Sequence, residues 1–142
     1  MNDLVIRIAA AATLIWLGMV LAISFLEAPL KFRVEGLDLK VGLAIGRIVF
    51  RALNIAEVIW AVVIAACLVV AGPTVPVLVI AVVTAVVLGV QLLLVRPRLN
   101  RRTARVLAGL NAPRSRAHHA YIALETLKFA ALVALGAALL AG

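Results

Sequence analysis

Residues 51–60 read RALNIAEVIW and residues 121–129 read YIALETLKF, and each stretch places one glutamate inside a long apolar segment. These glutamates are Glu57 and Glu125. Both segments are apolar enough to cross a lipid bilayer as helices. An ionisable side chain is costly in such a helix, so it usually faces the protein interior and has a partner. The two carboxylates therefore predict a polar cluster inside a bundle of membrane helices.

The composition of the chain favours a membrane protein. Hydrophobic residues make up 66% of its 142 residues, whereas a soluble domain is about half apolar. With about 20 residues per span, four helices and their connections fit this length as a single transmembrane domain over residues 1–142. We expect an all-α integral membrane four-helix bundle in a bacterial inner (plasma) membrane.

The apolar segments predict where the four helices lie. They cover residues of about 4–26, 41–71, 77–95 and 118–140. Pro29 is expected to end the first helix and Pro97 the third, because proline has no amide hydrogen and cannot continue the helical hydrogen bonds. After Pro97, the arginine-rich segment 96–110 places its leucines and valines on one side of a helix. This pattern predicts a short amphipathic basic helix, lying on the membrane, in the 3–4 loop.

The charges of the loops predict the orientation in the membrane. The formal net charge is +8, and nearly all lysines and arginines fall within residues 31–51 and 96–116. The positive-inside rule then places both termini outside and both basic loops in the cytoplasm. Basic loops near a membrane attract anionic lipids. We therefore expect lipid-headgroup contacts from Arg101, Arg102 and Arg105.

The two halves of the chain share a pattern. Pro29 and Pro97 are 68 residues apart, and so are Glu57 and Glu125. Each half contains a helix, a proline, a basic loop and a returning helix with a glutamate. Helices 1 and 3 cross the membrane in the same direction, so the pattern allows a parallel repeat of two helical hairpins. Two unrelated halves remain the alternative.

Polar side chains on the four helices predict one intramembrane site in the cytoplasmic half of the bundle. Spacings of three and four residues place the polar side chains of each helix along one face of that helix. The candidate site residues are Glu27, Arg51, Asn54, Glu57, Gln91, His118, Tyr121, Glu125 and Lys128. Trp16 and Trp60 lie well inside their helices and are interpreted as packing residues.

This polar set has two interpretations. In the structural one, Arg51 pairs with Glu57 or Glu125 and satisfies buried charge; Lys128 can also pair with Glu125, which fixes helix register. In the functional one, the set lines a cavity that binds or moves a proton, a cation or a small solute. The alternative function is a non-transporting structural or accessory subunit of a larger membrane complex. A homo-oligomer or a partner membrane subunit is plausible under both, because four helices make a thin bundle.

Other function classes lack their sequence signals. The chain has no GxSxG, P-loop or GxGxxG motif, so we expect no enzyme. No CxxC, HxxxH or carboxylate set has metal-ligand spacing, so we expect no metal and no cofactor. Cys67 is the single cysteine and is interpreted as a packing residue. A basic chain with 5% aromatic residues and no soluble core offers nothing to nucleic-acid bases, so we expect no nucleic-acid partner.

Short motifs, mainly in the first hairpin, resemble a known family. The motifs resemble those of a small four-span membrane protein family of largely unknown function, which is itself similar to the transmembrane-protein-205-like group. They are WLG at residues 16–18, EAPLKF at residues 27–32 and GRIVF at residues 46–50. The pair Pro97-Arg98 and a histidine that opens helix 4 fit the same pattern. The resemblance implies a four-helix membrane protein without established catalytic residues. The polar residues of helix 4 depart from it.

Overall fold

The computed structural model describes residues 2–113 and 116–142, and this part of the chain is all-helical. It contains four helices, α1 to α4, each long and apolar enough to cross a membrane. They span Asn2–Lys31, Leu39–Ala71, Val75–Leu107 and Arg116–Ala141. The predicted all-α fold with four membrane-length helices is therefore confirmed, and α1 and α3 are longer than expected.

Both of these longer helices run past a proline, so the prediction that Pro29 and Pro97 end their helices is wrong. A π-helical segment ends two residues before each proline, Leu21–Glu27 in α1 and Gln91–Val95 in α3. A π-turn widens the helix locally, which moves away the carbonyl that the proline ring would otherwise strike. The helix can then continue on the far side of the proline.

The hydrogen bonds around the two prolines are the same. The amide of Ala28 donates to the carbonyl of Ile23, and the amide of Arg96 donates to the carbonyl of Gln91. In each case the acceptor lies five residues back, as a π-turn requires. The two halves of the chain therefore use one device at matching positions, which agrees with the predicted repeat pattern.

The expected basic helix is present as Arg96–Leu107, but it forms the last turns of α3 and is not a separate element. It packs against α2, and Val106 on its apolar side is buried. Gly109 follows with a φ of 84°, a left-handed conformation that glycine adopts without strain. The two basic loops therefore lie at one end of the bundle, which we call the basic end.

Helix α1 lies at the centre of the packing. It contacts both α2 and α4, and α4 in turn contacts α3. Small residues make the α1–α4 contact close: Ala9 and Ala10 are buried in the core, and a Cβ atom added at Gly136 of α4 would lie 3.3 Å from Leu14 of α1. Helices that pack on small residues approach closely. By contrast, α2 makes few contacts with residues 75–90, the upstream part of α3. A groove lies between these two helices.

Candidate functional site

A buried polar cluster joins all four helices at one level. Its centre is Lys128 of α4, which is 1% exposed. The Lys128 ammonium forms ion pairs with Glu57 of α2 and with Glu125 of α4, the latter at 2.8 Å, and donates to the Gln91 side-chain oxygen of α3 at 2.8 Å. The Trp16 indole of α1 donates to Glu57 Oε2 at 2.8 Å. We call these five residues the Lys128 cluster.

Every charged side chain of the Lys128 cluster has a partner inside the cluster, although Glu57 Oε1 is buried without a hydrogen-bond partner among the described residues. An ammonium has three donors, and those of Lys128 have three partners, Glu57, Glu125 and Gln91. The Gln91 amide also lies 3.5 Å from Glu125 Oε2, which orients its oxygen toward the lysine. Two carboxylates and one ammonium are thus removed from solvent together. Such a set fixes the positions of the helices that carry it, because a shift would leave charge unpaired.

Replacing Trp16 with phenylalanine is expected to lower the free energy of unfolding by about 1–3 kcal/mol, because a buried carboxylate loses a donor. Trp60→Phe is the matched control. The Trp60 indole lies 3.3 Å from Met19 Sδ, and a thioether is a weak acceptor, so this loss should be smaller. Unfolding the detergent-solubilised protein with a denaturant measures the free energy of unfolding of both variants. A double-mutant cycle with Glu57→Gln separates the hydrogen bond from lost packing; a coupling of zero would contradict the prediction.

Five of the candidate residues lie outside the cluster: Glu27, Arg51, Asn54, His118 and Tyr121. Arg51 is exposed and Asn54 half-buried, and neither makes an ion pair with Glu57 or Glu125. The expected pairing of Arg51 with a glutamate is therefore wrong, because Lys128 takes both carboxylates. Glu27 is at the basic end, where it pairs with Lys31 at 3.4 Å.

A cavity of about 590 Å³ lies at the basic end, among all four helices. We call it the basic cavity. Its wall carries four cationic side chains and a half-buried histidine, and none of the described residues that line it is acidic. These basic residues are Lys31, Arg47, Arg96, Arg102 and His118. Apolar residues such as Phe32, Leu43 and Leu99 form much of the remaining wall.

Arg96 is the most constrained of the cations that line this cavity. Its guanidinium lies over the ring of Phe50, at 4.8 Å from the centroid, and over the ring of Tyr121, at 4.5 Å. The two rings meet edge to face at 5.8 Å. Within the part of the chain that the structure describes, Arg96 Nε and Nη2 are buried and have no hydrogen-bond partner. Buried donors without acceptors cost free energy, and Arg96 is also a residue of the cavity wall.

Tyr121 connects the basic cavity to the Lys128 cluster. Its ring lines the cavity, and it precedes Glu125 by four residues on the same face of α4. Ser24 also lines the cavity, and its hydroxyl is buried without a hydrogen-bond partner among the described residues. The cavity wall thus contains polar residues beside the arginine, and Tyr121 lies one helical turn from the Lys128 cluster.

The arginines predicted to contact lipid headgroups differ in their surroundings. Arg101 and Arg105 are exposed on α3. Arg102 is half-buried, donates through Nε to the carbonyl of Ala112 at 3.0 Å and lines the basic cavity. One guanidinium donor of Arg102 is therefore used within the protein. The contact of all three arginines with lipid headgroups stays a prediction.

Two residues of the site were missed from the sequence. Trp16 was interpreted as packing only, although an indole N–H in an apolar helix usually finds an acceptor when buried. In the sequence, Arg96 is one of several arginines in a basic segment. Its signal was its position directly before Pro97, at the junction between apolar helix and basic segment, where an arginine can turn back into the bundle.

Comparisons of this chain with protein-family models, with characterised proteins and with solved structures found no match. The resemblance to the four-span family therefore stays a prediction. The geometry of the Lys128 cluster and of the basic cavity carries the functional argument.

Proposed function

We propose that this chain is an integral membrane protein that binds a small organic anion in the basic cavity. The observation that carries the proposal is Arg96, a residue of the cavity wall whose buried Nε and Nη2 donors have no acceptor within the described chain. An arginine held between two aromatic rings is pre-organised, so it loses little freedom when a carboxylate or phosphate binds. Carboxylates and phosphates match its planar fork of donors.

The exposed surface of the bundle supports the membrane location. Large apolar side chains point outward from the helices, with Val69 84% exposed and Leu93 77% exposed. Soluble proteins rarely expose extended apolar surface of this kind. The loops at the basic end supply the positive charge that favours the cytoplasmic side, so we propose that both termini lie outside and that the cavity faces the cytoplasm. The predicted family resemblance supports the same four-span arrangement.

The charges at the two sites favour an anion over a proton or a cation. Glu57 and Glu125 are the carboxylates that could hold a proton or a cation, but Lys128 pairs with both and neither lines the basic cavity. The cavity itself carries cations, which would repel a cationic ligand. Its apolar wall at Phe32 and Leu99 suits a ligand with a hydrocarbon part. A small carboxylate with an apolar body fits both properties.

Benzoate is expected to stabilise the purified protein, whereas benzylammonium at the same ionic strength is not. The two probes share a ring and differ in the sign of the charge. A ligand that binds only the folded state at 100 times its dissociation constant adds about 2.7 kcal/mol. Thermal unfolding in a neutral detergent measures the effect, with inorganic phosphate as an anion that has no apolar part. Equal stabilisation by benzoate and benzylammonium, or none by either, would reject the proposed site.

A second candidate function is a non-transporting structural or accessory subunit. The Lys128 cluster favours it, since each of its charged side chains has a partner within the bundle and the cluster is closed to solvent. This cluster needs no ligand to serve a purely structural role. Failure of both anionic probes to bind a stable protein would favour this second candidate.

A further inference from the structure

A second depression, which we call the lateral groove, runs between α2 and α3 and opens on the side of the bundle. Its volume is about 650 Å³. Three arginines and two asparagines line it together with aliphatic side chains, and none of the described lining residues is acidic. It exists because α2 contacts the basic end of α3 but scarcely touches residues 75–90.

The polarity of the lateral groove changes along α2. Arg47 and Arg51 come first, nearest the basic end, and Asn54 follows. Ile55, Val58 and Ile59 then continue toward the middle of the helix. From residue 47 to residue 59 a helix advances about 18 Å. The groove is therefore cationic at the level of the basic loops and apolar at the depth of the hydrocarbon core.

The cationic end of the groove has no internal counter-charge. Arg47 and Arg51 are exposed, and neither forms a hydrogen bond or an ion pair with any residue that the structure describes. Arg96 and Asn100 of α3 face the same end. Basic pockets between membrane helices on the cytoplasmic side bind the headgroups of anionic lipids.

We propose that the lateral groove binds one anionic phospholipid. Its phosphate lies at Arg47 and Arg51, and one acyl chain lies along Ile55, Val58 and Ile59. The argument for this occupant is complementarity at both ends, because an anion alone leaves the apolar half empty and a hydrocarbon alone leaves the arginines unpaired. The groove and the basic cavity share Arg47, Arg96 and Asn100. Arg51 and Ile55 line only the groove, and Arg102 lines only the cavity, so these residues tell the two sites apart.

The test compares retention of phosphatidylglycerol and phosphatidylcholine with identical acyl chains by native mass spectrometry of the full chain. We expect phosphatidylglycerol to be retained preferentially as one bound molecule. Removing one cation near a membrane surface costs about fivefold in binding, so Arg51→Ala should reduce this preference about fivefold. Arg33→Ala removes the same charge from an exposed loop position and should leave it unchanged.

Ile55→Trp fills the apolar half of the groove and should lower retention of both lipids. Ile48→Trp is its control, because Ile48 is an exposed residue of the same helix that lines neither the groove nor the cavity. Equal retention of the two lipids, or equal effects of Arg51→Ala and Arg33→Ala, would overturn the proposal. Displacement of the lipid by inorganic phosphate would reduce the groove to a free-anion site and overturn it as well. A dimer that carries no lipid would assign the groove to a second copy of the chain.

Residues that line only one of the two sites separate lipid binding in the groove from anion binding in the basic cavity. Arg102→Ala should change benzoate binding and leave lipid retention as it is, because Arg102 lines the cavity alone. If benzoate binding is lost and the preference for phosphatidylglycerol is kept, the groove proposal stands. If benzoate binds and the lipid preference is absent, only the groove proposal is rejected.

Discussion

Replacing Lys128 with methionine is expected to destabilise the bundle by about 3–5 kcal/mol, which is the typical cost of removing one partner from a buried ion pair. Methionine has a similar length and no charge. It leaves Glu57 and Glu125 buried and facing each other without a cation. Titration of the detergent-solubilised protein with a denaturing detergent, followed by tryptophan fluorescence, measures the free energy of unfolding.

Two comparisons make this result specific. Lys40→Met removes the same charge at an exposed position of α2, and such surface changes stay within about 0.5 kcal/mol. A triple variant that combines Lys128→Met with Glu57→Gln and Glu125→Gln removes all three charges and should recover much of the loss. If Lys128→Met unfolded at the same denaturant concentration as Lys40→Met, the cluster would not stabilise the bundle.

The sequence predicted the four helices and the inward direction of the two glutamates because both follow from the cost of burying charge in an apolar segment. It also allowed Lys128 to pair with Glu125, since three residues separate neighbours on a helix face. The chain confirms this contact at 2.8 Å. Local spacing within a single helix was therefore sufficient where both partners lay on that helix.

The partner of Glu57 could not be obtained in this way. Arg51 and Glu57 are six residues apart, which places them about 120° apart around a helix at 3.6 residues per turn. The polar stripe on α2 therefore winds around the helix, so that Glu57 faces Lys128 while Arg51 faces the lateral groove. Which part of a winding stripe faces inward depends on the rotation of the helix in the bundle, and packing against the other helices sets that rotation.

The prolines show a second limit of sequence reasoning. A proline lacks the amide that the next turn would use, and a helix end or a π-turn upstream both resolve this conflict. The residues before Pro29 and Pro97 differ, yet a π-turn precedes the proline in both helices. In α3 the continuation carries Arg96 back toward Phe50 and Tyr121. The position of the proposed anion site thus depends on a backbone choice that residue types alone do not determine.

The predicted repeat places one difference at the centre of the bundle. Residue 60, which is 68 positions before Lys128, is a tryptophan. Only the second half therefore supplies an ammonium, and that ammonium pairs with the glutamates of both halves. The Lys128 cluster joins the two hairpins through this asymmetry.

Replacing Arg96 with glutamine is expected to weaken benzoate binding by about 10- to 100-fold, because a hydrogen bond to a charged group contributes about 1.5–3 kcal/mol. Glutamine keeps a donor but has neither the charge nor the planar fork of the guanidinium. Isothermal titration of the detergent-solubilised protein with benzoate measures the dissociation constant directly.

Arg98→Gln is the matched control for Arg96→Gln. Arg98 lies two residues further along α3, is exposed and contacts the carbonyl of Leu94 at 3.3 Å, so the same charge is lost outside the basic cavity. A general effect of net charge would weaken benzoate binding equally in both variants, whereas a site at the Arg96 guanidinium makes only Arg96→Gln lose affinity for benzoate.

Arg96→Lys tests the shape of the side chain separately from its charge. Lysine keeps the positive charge but lacks the flat guanidinium that stacks on Phe50 and Tyr121. We expect its affinity to lie between those of glutamine and arginine, and full affinity for benzoate in Arg96→Gln would exclude Arg96 from the site.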